Sequence, residues 1–392
     1  MSAVGLGARY SYGVFLKTIE AEFAMTRVAT SSVFSFYMLL CCLIAILGGW
    51  SVDRYGPKKV GLLIGTFTGL SFLLTSQANA TWQLFITYSL IFSLGTGAIY
   101  VLANTTASRW FVKKRGFVLG ITSSGAGVGT VFIAPIATYL ISVFNWRTAF
   151  IVLGFSSWIV IAAISFLLKK GPHDIGLLPD GLKSEPLEAA TESKVGGVRL
   201  TGLSLGQACR MSQFWLLGLS WLFISFSMHM IFVHIVPYAI DVGVSPMDAS
   251  FVLSLLGFAN ILGRVVSGRL SDSFGRKPLA LTCALLQMVA LLWLILAHHI
   301  WMLYPFALVF GFTFGGSSTL ITIFVGDIFG MRSLGAIMGI LTAGFGLGAA
   351  IGPATGGYIF DVSGSYIMAF ATGAISIFIA ACLIASIRKV SS

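Results

Sequence analysis

Charge is scarce in this chain: only 9% of its 392 residues are Asp, Glu, Lys or Arg, where a soluble domain carries about 25%. A water-soluble globular fold is excluded on that ground. Acid is scarcer than base, 13 Asp and Glu against 24 Lys and Arg, and no carboxylate falls centrally in an apolar run. That argues against a sodium site or a proton relay built from Asp and Glu. The five cysteines, Cys41, Cys42, Cys209, Cys283 and Cys382, show no metal or redox spacing. No nucleophile triad and no cluster of metal ligands stands out, so the chain reads as no enzyme, with no metal and no cofactor. The glycine-rich stretches follow apolar helices rather than strands, which excludes a phosphate-cradling loop.

What is present is apolar length. The chain is 57% hydrophobic, and runs of about 20 apolar residues, enough to cross a bilayer, recur from end to end. Spans are expected at 1–20, 33–52, 59–77, 83–107, 117–142, 148–168, 214–240, 250–270, 278–298, 302–327, 334–360 and 366–387. The expectation is an all-α integral membrane protein of 12 transmembrane helices. Residues 1–168 form one six-helix half, 169–213 a polar cytoplasmic linker, and 214–392 the other half. The net charge of +11 could point to nucleic acid. The basic residues instead sit in short loops, where topology accounts for them and no nucleic-acid partner is expected. One set of loops, with the linker and tail, holds 19 of the 24 basic residues; the opposite set holds Lys17, Arg27 and Arg147. By the positive-inside rule both termini and the linker are cytoplasmic. The bilayer concerned is expected to be the inner membrane.

The halves repeat. Gly49-x-x-x-Asp53-x-x-Gly56 returns as Gly268-x-x-x-Asp272-x-x-Gly275, an offset of 219 residues. Gly120, Gly125, Gly127 and Gly129 return as Gly339, Gly344, Gly346 and Gly348 at the same offset. Both copies of the turn lie on one side, so the repeats run parallel, related by an axis along the membrane normal. Glycines permit tight turning and close helix approach. Asp53 and Asp272 can cap a helix or pair with an arginine, so Gly49, Asp53, Gly56, Gly268, Asp272 and Gly275 read as a conformational latch. The same offset carries the start of the seventh span to before residue 1. The first helix therefore looks N-terminally truncated, either because the start is placed late, the favoured reading, or because the helix is short.

Two polar residues on one helix are the sharpest functional signal. Asn260 and Arg264 stand i and i+4, on one face, and intramembrane arginines are costly and usually functional. Their repeat partners are Cys41 and Ala45, so the scaffold does not require them. Arg264 is about 9 Å from Leu270, the expected end of its span, at 1.5 Å per residue. With no carboxylate at its level, its guanidinium suits a substrate carboxylate. The alternative is a side chain that snorkels to the interface. Tyr100 and Asn104 are also i and i+4, as are His234 and Tyr238. Tyr100, Asn104 and His234 could hydrogen-bond an anion, or be packed aromatics and a satisfied histidine. Tyr238 reads better as part of an interfacial aromatic belt. His234 is the one central group expected to titrate near neutrality. Arg9 could be a second anion ligand or reach the cytoplasmic interface.

The duplicated turn resembles the signature loop of the major facilitator superfamily, and twelve spans in two parallel halves fit that fold. Tyr10-Ser-Tyr-Gly-Val-Phe-Leu-Lys-Thr-Ile-Glu, Trp110-Phe-Val-Lys-Lys-Arg-Gly and Asn260-x-x-x-Arg264 are similar to the monocarboxylate porters and the oxalate/formate exchangers. The animal porters have Asp where this chain has Asn260. The oxalate exchangers have a lysine in the eleventh span, where 334–360 has none. The resemblance implies a secondary transporter of small organic anions, monocarboxylates of the lactate and formate class, working by rocker-switch alternating access as a monomer in a lipid bilayer. A proton is a candidate co-substrate, carried with the substrate or on His234; exchange is also open. Dicarboxylate exchange, export of a larger amphiphile and a non-transporting sensor are the alternatives.

Overall fold

The computed structural model describes residues 1–111, 115–169, 171–172, 203–330 and 333–387. Within them the helices are α1 (Ser2–Tyr10), α2 (Tyr12–Phe23), α3 (Arg27–Tyr55), α4 (Pro57–Ser76), α5 (Thr81–Leu84), α6 (Phe92–Thr96), α7 (Ile99–Trp110), α8 (Arg115–Val143) and α9 (Trp146–Leu167). After them come α10 (Leu205–Cys209), α11 (Ser212–Asp241), α12 (Pro246–Phe274), α13 (Arg276–Ile295), α14 (Ile300–Phe329), α15 (Leu334–Ser363) and α16 (Ile367–Ser386). Among the described residues eleven helical stretches are long and apolar enough to cross a membrane, with α5 to α7 counted as one. The pair α1 and α2, which meet at Ser11, takes the first place in the bundle. The protein is a multi-pass integral membrane protein.

The offset found in the sequence carries through to the helices. Shifted by 219, the bounds of α3 coincide with those of α12, those of α4 with α13, and the stretch Thr81–Trp110 with α14. Within that first-half stretch a π-helical turn at Phe85–Ile91 and a break at Gly97 interrupt what its counterpart runs straight through. Both duplicated turns use their last glycine alike: Gly56 has φ 81° and Gly275 φ 83°, a region closed to most side chains. Each ends one helix and starts the next, α4 with Pro57 at its first position. Gly49 and Gly268 are different. An added methyl would meet Val101 at 3.6 Å or Thr319 at 3.9 Å, ordinary contact, so tight packing does not demand glycine there. The side chains of Asp53 and Asp272 lie outside the described residues, as do Arg332 and the linker residues Lys170, Lys183, Lys194 and Arg199. Asp327 is ion-paired with Arg276, which ties the second turn to the end of α14.

The glycine stripes explain how the halves meet. Gly125 and Gly129 pack against Ser2, Ala3 and Gly7 of α1, and Gly344 and Gly348 pack against Gly218 and Leu222 of α11. The middle glycine of each stripe turns the other way. Gly127 faces Gly257 and Ile261 of α12, and Gly346 faces Cys42 of α3. Each stripe thus binds its own half with its outer members and crosses the seam with its centre. One heptad further, on the same face, Gly120 and Gly339 have no atom within 4 Å of an added methyl. The seam parts toward the end that carries the Gly56 and Gly275 turns.

At the opposite end it is shut. Asp361 of α15 accepts from the first two amides of α3, Arg27 at 2.9 Å and Val28 at 2.8 Å. The Ser35 hydroxyl accepts from the Ala354 amide at 3.2 Å, and Gly13 of α2 lies against the Val233 carbonyl of α11. Arg27, expected in a loop, is the first residue of α3 and only 6% exposed. The span begins six residues earlier than expected because Thr26 caps it, accepting from the Ala29 amide at 3.3 Å.

Candidate substrate-binding site

Asn260 sits at the middle of α12, and Arg264 one turn nearer its C-terminus. The helix runs on to Phe274, so Arg264 is about 15 Å from the end, at 1.5 Å per residue, deeper than the expected span allowed. Contacts fix which way the pair faces. Gly257 and Ile261 meet α8, and Ala259 and Gly263 meet α14. At about 100° per residue, Asn260 and Arg264 fall in the sector between those two neighbours. Phe258, Leu262 and Val265, on the far side, are 43–55% exposed and form the apolar outer face. The guanidinium therefore points inward, one heptad from Gly257, where the seam begins to part.

Within the site Arg264 Nε donates to Asn260 Oδ1 at 3.1 Å. Asn260 is buried and its Nδ2 has no partner, so one donor remains for a ligand. No carboxylate pairs with Arg264 among the described residues. Gly315 of α14 lies flat on this stretch, where an added methyl would come within 3.0 Å of the Arg264 amide. The helices are close here because that residue has no side chain.

Arg9 belongs to the other half and reaches the matching place. Its Nε donates to the Tyr37 hydroxyl at 2.7 Å, and Nη2 lies 3.6 Å from Cys41 Sγ. Tyr37 in turn shares a 2.6 Å hydrogen bond with Thr96 Oγ1. Cys41 is the repeat counterpart of Asn260, so each half brings a guanidinium to this position, from α12 in one and from α1 in the other. The asymmetry seen between positions 41/45 and 260/264 is thus partly filled in three dimensions, by a residue the repeat register does not align. Arg9 too lacks a carboxylate partner among the described residues.

The remaining candidates separate. Tyr100 and Asn104 share the face of α7 toward α8: the Tyr100 hydroxyl is 3.1 Å from Ser123 Oγ, and Asn104 Oδ1 accepts from Thr122 at 2.9 Å. Tyr100 is 47% exposed; no described contact joins either to Arg264. His234 lies at the shut end, fully buried with both ring nitrogens engaged. Nε2 donates to the Pro353 carbonyl at 2.8 Å. Nδ1 then accepts from the Tyr366 hydroxyl at 2.9 Å, and that hydroxyl accepts from Arg27 at 2.7 Å. Tyr238 is buried rather than belted: its hydroxyl donates to the Ala297 carbonyl at 2.7 Å, finishing the end of α13.

Two features escape sequence reasoning. One is the charge cluster around Arg27, which lies 2.6 Å from Glu20 and 3.1 Å from Asp241, with Lys17 also 2.6 Å from Asp241. Its acids Glu20 and Asp241 stand at helix ends far apart in the chain, and nothing in the sequence pattern brings those ends together. The other is His229, a second central histidine one turn and a half from His234 on α11.

The whole sequence matches the profile of a family described as the Major Facilitator Superfamily, over residues 1–242 and again over 217–391. Among similar curated proteins, monocarboxylate transporter 12 of Rattus norvegicus is 28% identical over 373 residues, spanning 91% of this chain and 77% of that one. The uncharacterized MFS-type transporter YhjX of Escherichia coli (strain K12) is 24% identical over 349 residues, 88% of this chain and 82% of its own. A solved structure of a bacterial homolog of the human lysosomal transporter Spinster, inward-facing and occupied, superposes with a TM-score of 0.75 at 15% identity, covering 98% of this chain and 93% of that one.

Proposed function

Since the chain belongs to the Major Facilitator Superfamily, and is thereby a transporter of a small-molecule substrate, we propose that its substrate is a small organic anion, a monocarboxylate of the lactate and formate class. The observation that carries this is the inward-facing Arg264 with Asn260 at the parting of the seam, a fixed guanidinium with no acid partner among the described residues. A guanidinium offers two parallel donors to a carboxylate, and Asn260 Nδ2 supplies a further donor beside it. Relatives named as monocarboxylate transporters support the same class.

Arg9 is the second cation of the site, and Tyr100 and Asn104 line the approach from the parted end. His234 acts at a distance, holding Tyr366 against Arg27. The basic loops make the parted end cytoplasmic by the positive-inside rule, with both termini and the 169–213 linker on that side. The two halves, 1–168 and 214–392, rock about the bound anion. The Arg27 cluster breaks and remakes at one end while the Gly49–Gly56 and Gly268–Gly275 turns hold the other. A monomer suffices for this cycle.

One observation favours a second substrate class. Two guanidinia at repeat-related positions would also suit a dicarboxylate, each end held by one arginine. Reconstituted vesicles decide between them. Labelled lactate or formate entering by exchange, and lost in Arg264→Ala, fits the monocarboxylate reading. Oxalate alone entering, and requiring both arginines, fits the dicarboxylate one. No flux of any of the three contradicts both.

A further inference from the structure

One side of the seam is a wall of rings. Trp221 of α11 lies 5.4 Å from Phe345 of α15, centroid to centroid, and Phe345 lies 5.4 Å from His229, two turns further along α11. Trp221 is buried and its Nε1 has no partner, whereas a buried indole usually finds one. At the positions 219 earlier the first half has Ser2 and Ala126. The scaffold is built once without these two rings, as it is without Asn260 and Arg264. Their direction and depth follow from their neighbours. Gly344 and Gly348 face α11, and Gly346 faces Cys42 of α3. At about 100° per residue, Phe345 falls between those two sides, toward the interior, while Ile340, Leu347 and Ile351 on the opposite side of α15 are exposed. The contact of Gly346 with Cys42 repeats that of Gly127 with Ile261 at the offset of 219, so both cross the seam at one depth. Phe345 adjoins the first contact, and Asn260 and Arg264 flank Ile261 in the second. Arg264 leans back toward the N-terminus of its helix, where it bonds Asn260, and this brings its guanidinium to the level of the ring.

We propose that Phe345 and Trp221 hold the end of the substrate away from its carboxylate, its second and third carbons, and that Trp221 Nε1 donates to an oxygen on the second carbon. The inference rests on the carboxylate reading above. It narrows the substrate to a short acid with a small apolar tail and a hydroxyl or oxo group beside the carboxylate. Formate has no tail and is a weak ligand on this account. Phe345 supplies apolar area, and each methylene it takes out of water strengthens binding about fourfold. The indole N–H adds a neutral hydrogen bond, a factor of about two to ten. Both hydroxyl and oxo oxygens accept from an N–H, so this donor separates oxygenated acids from plain ones and does not separate the two kinds of oxygen.

Displacement of labelled lactate from the purified protein by unlabelled acids tests this at equilibrium. Wild type should bind acetate about fourfold more tightly than formate, and propionate about fourfold more tightly than acetate. Lactate should bind about two- to tenfold more tightly than propionate. Phe345→Ala should flatten the steps from formate to propionate while formate itself binds as in wild type. Trp221→Phe, which keeps a ring and removes the donor, should lose the preference for lactate over propionate and keep the steps. Should Phe345→Ala not fold, the wild-type series and Trp221→Phe decide. A flat wild-type series, or lactate bound no more tightly than propionate, overturns the inference; binding that still depends on Arg264 then leaves the carboxylate reading standing. Steps retained in Phe345→Ala overturn it as well, as does the preference retained in Trp221→Phe. Loss of formate along with the longer acids in a folded Phe345→Ala overturns it too, since the ring would then serve the fold or the carboxylate rather than the tail. Wild type that binds none of the four acids overturns the carboxylate reading and this inference with it.

Discussion

Arg27 and Arg264 are the same residue type in opposite surroundings. Arg27 is buried among acids from both halves, Glu20 on one side and Asp241 on the other, with the Phe360 ring 4.2 Å from its guanidinium carbon. Arg264 has one neutral amide and an open side. A cation whose neighbours already balance it is part of the structure; a cation left with spare donors in a hydrocarbon setting awaits a ligand. The first shuts one end of the seam, and the second marks where the other end has opened.

Removing the lock should have the largest effect. Arg27→Ala leaves Glu20 without its partner and Asp241, which is exposed, with Lys17 alone; deleting one partner of a fully buried pair costs about 3–5 kcal/mol, and solvent at Asp241 brings the expected cost below that. The expected outcome is a lower melting temperature in detergent, together with faster labelling of a cysteine placed at Ser31 as the shut end loosens. Unchanged labelling would mean that the cluster does not hold the seam.

The comparison can then be inverted by giving Arg264 an acid of its own. Asn260→Asp places a carboxylate one turn from the guanidinium, where it competes with the substrate. A charge-assisted pair is worth about 1.5–3 kcal/mol, so KM for lactate should rise about tenfold or more near neutral pH, with little loss of stability. An unchanged KM would show that substrate does not meet Arg264.

Smaller effects come from the turns and the rim. Gly275→Ala forces a methyl into a backbone with φ 83°, at about 1–2 kcal/mol. Slower transport and a modest fall in melting temperature are expected, whereas Gly268→Ala, with room for the methyl, should do little to stability. Lys17→Ala removes a partly exposed pair with Asp241, worth about 0–1 kcal/mol. It should leave both melting temperature and flux near wild type.

Much of this arrangement was legible in the sequence. Apolar runs gave the spans, and the offset of 219 gave the halves, because a duplicated unit must bury the same faces twice. Asn260 and Arg264 were legible because one helix carries both. The rest depends on distances between helices. Arg9 meets Cys41 through packing of α1 on α3, with the chain jogging at Ser11, and no periodicity encodes that. Arg27 falls outside the expected span because hydropathy fades at its end of α3, while a capping threonine and acids from both halves keep it helical and buried. The sequence pattern sets His234 apart and not His229, although both are central on α11. Which of two buried histidines is satisfied depends on the Tyr366 hydroxyl and the Pro353 carbonyl, about 120 residues away in the chain, as the separations of 132 and 119 record.

The central claim is that Arg264 is held in readiness for a carboxylate. Its most direct test is equilibrium binding of labelled lactate to purified protein, wild type beside Arg264→Ala and Arg264→Lys. Loss of one charge-assisted contact of about 1.5–3 kcal/mol predicts binding weaker by about ten- to a hundredfold in Arg264→Ala. Arg264→Lys should recover part of it, because the charge returns without the paired donors, and the melting temperature without ligand should stay near wild type in both. Equal lactate affinity in all three proteins would contradict the account.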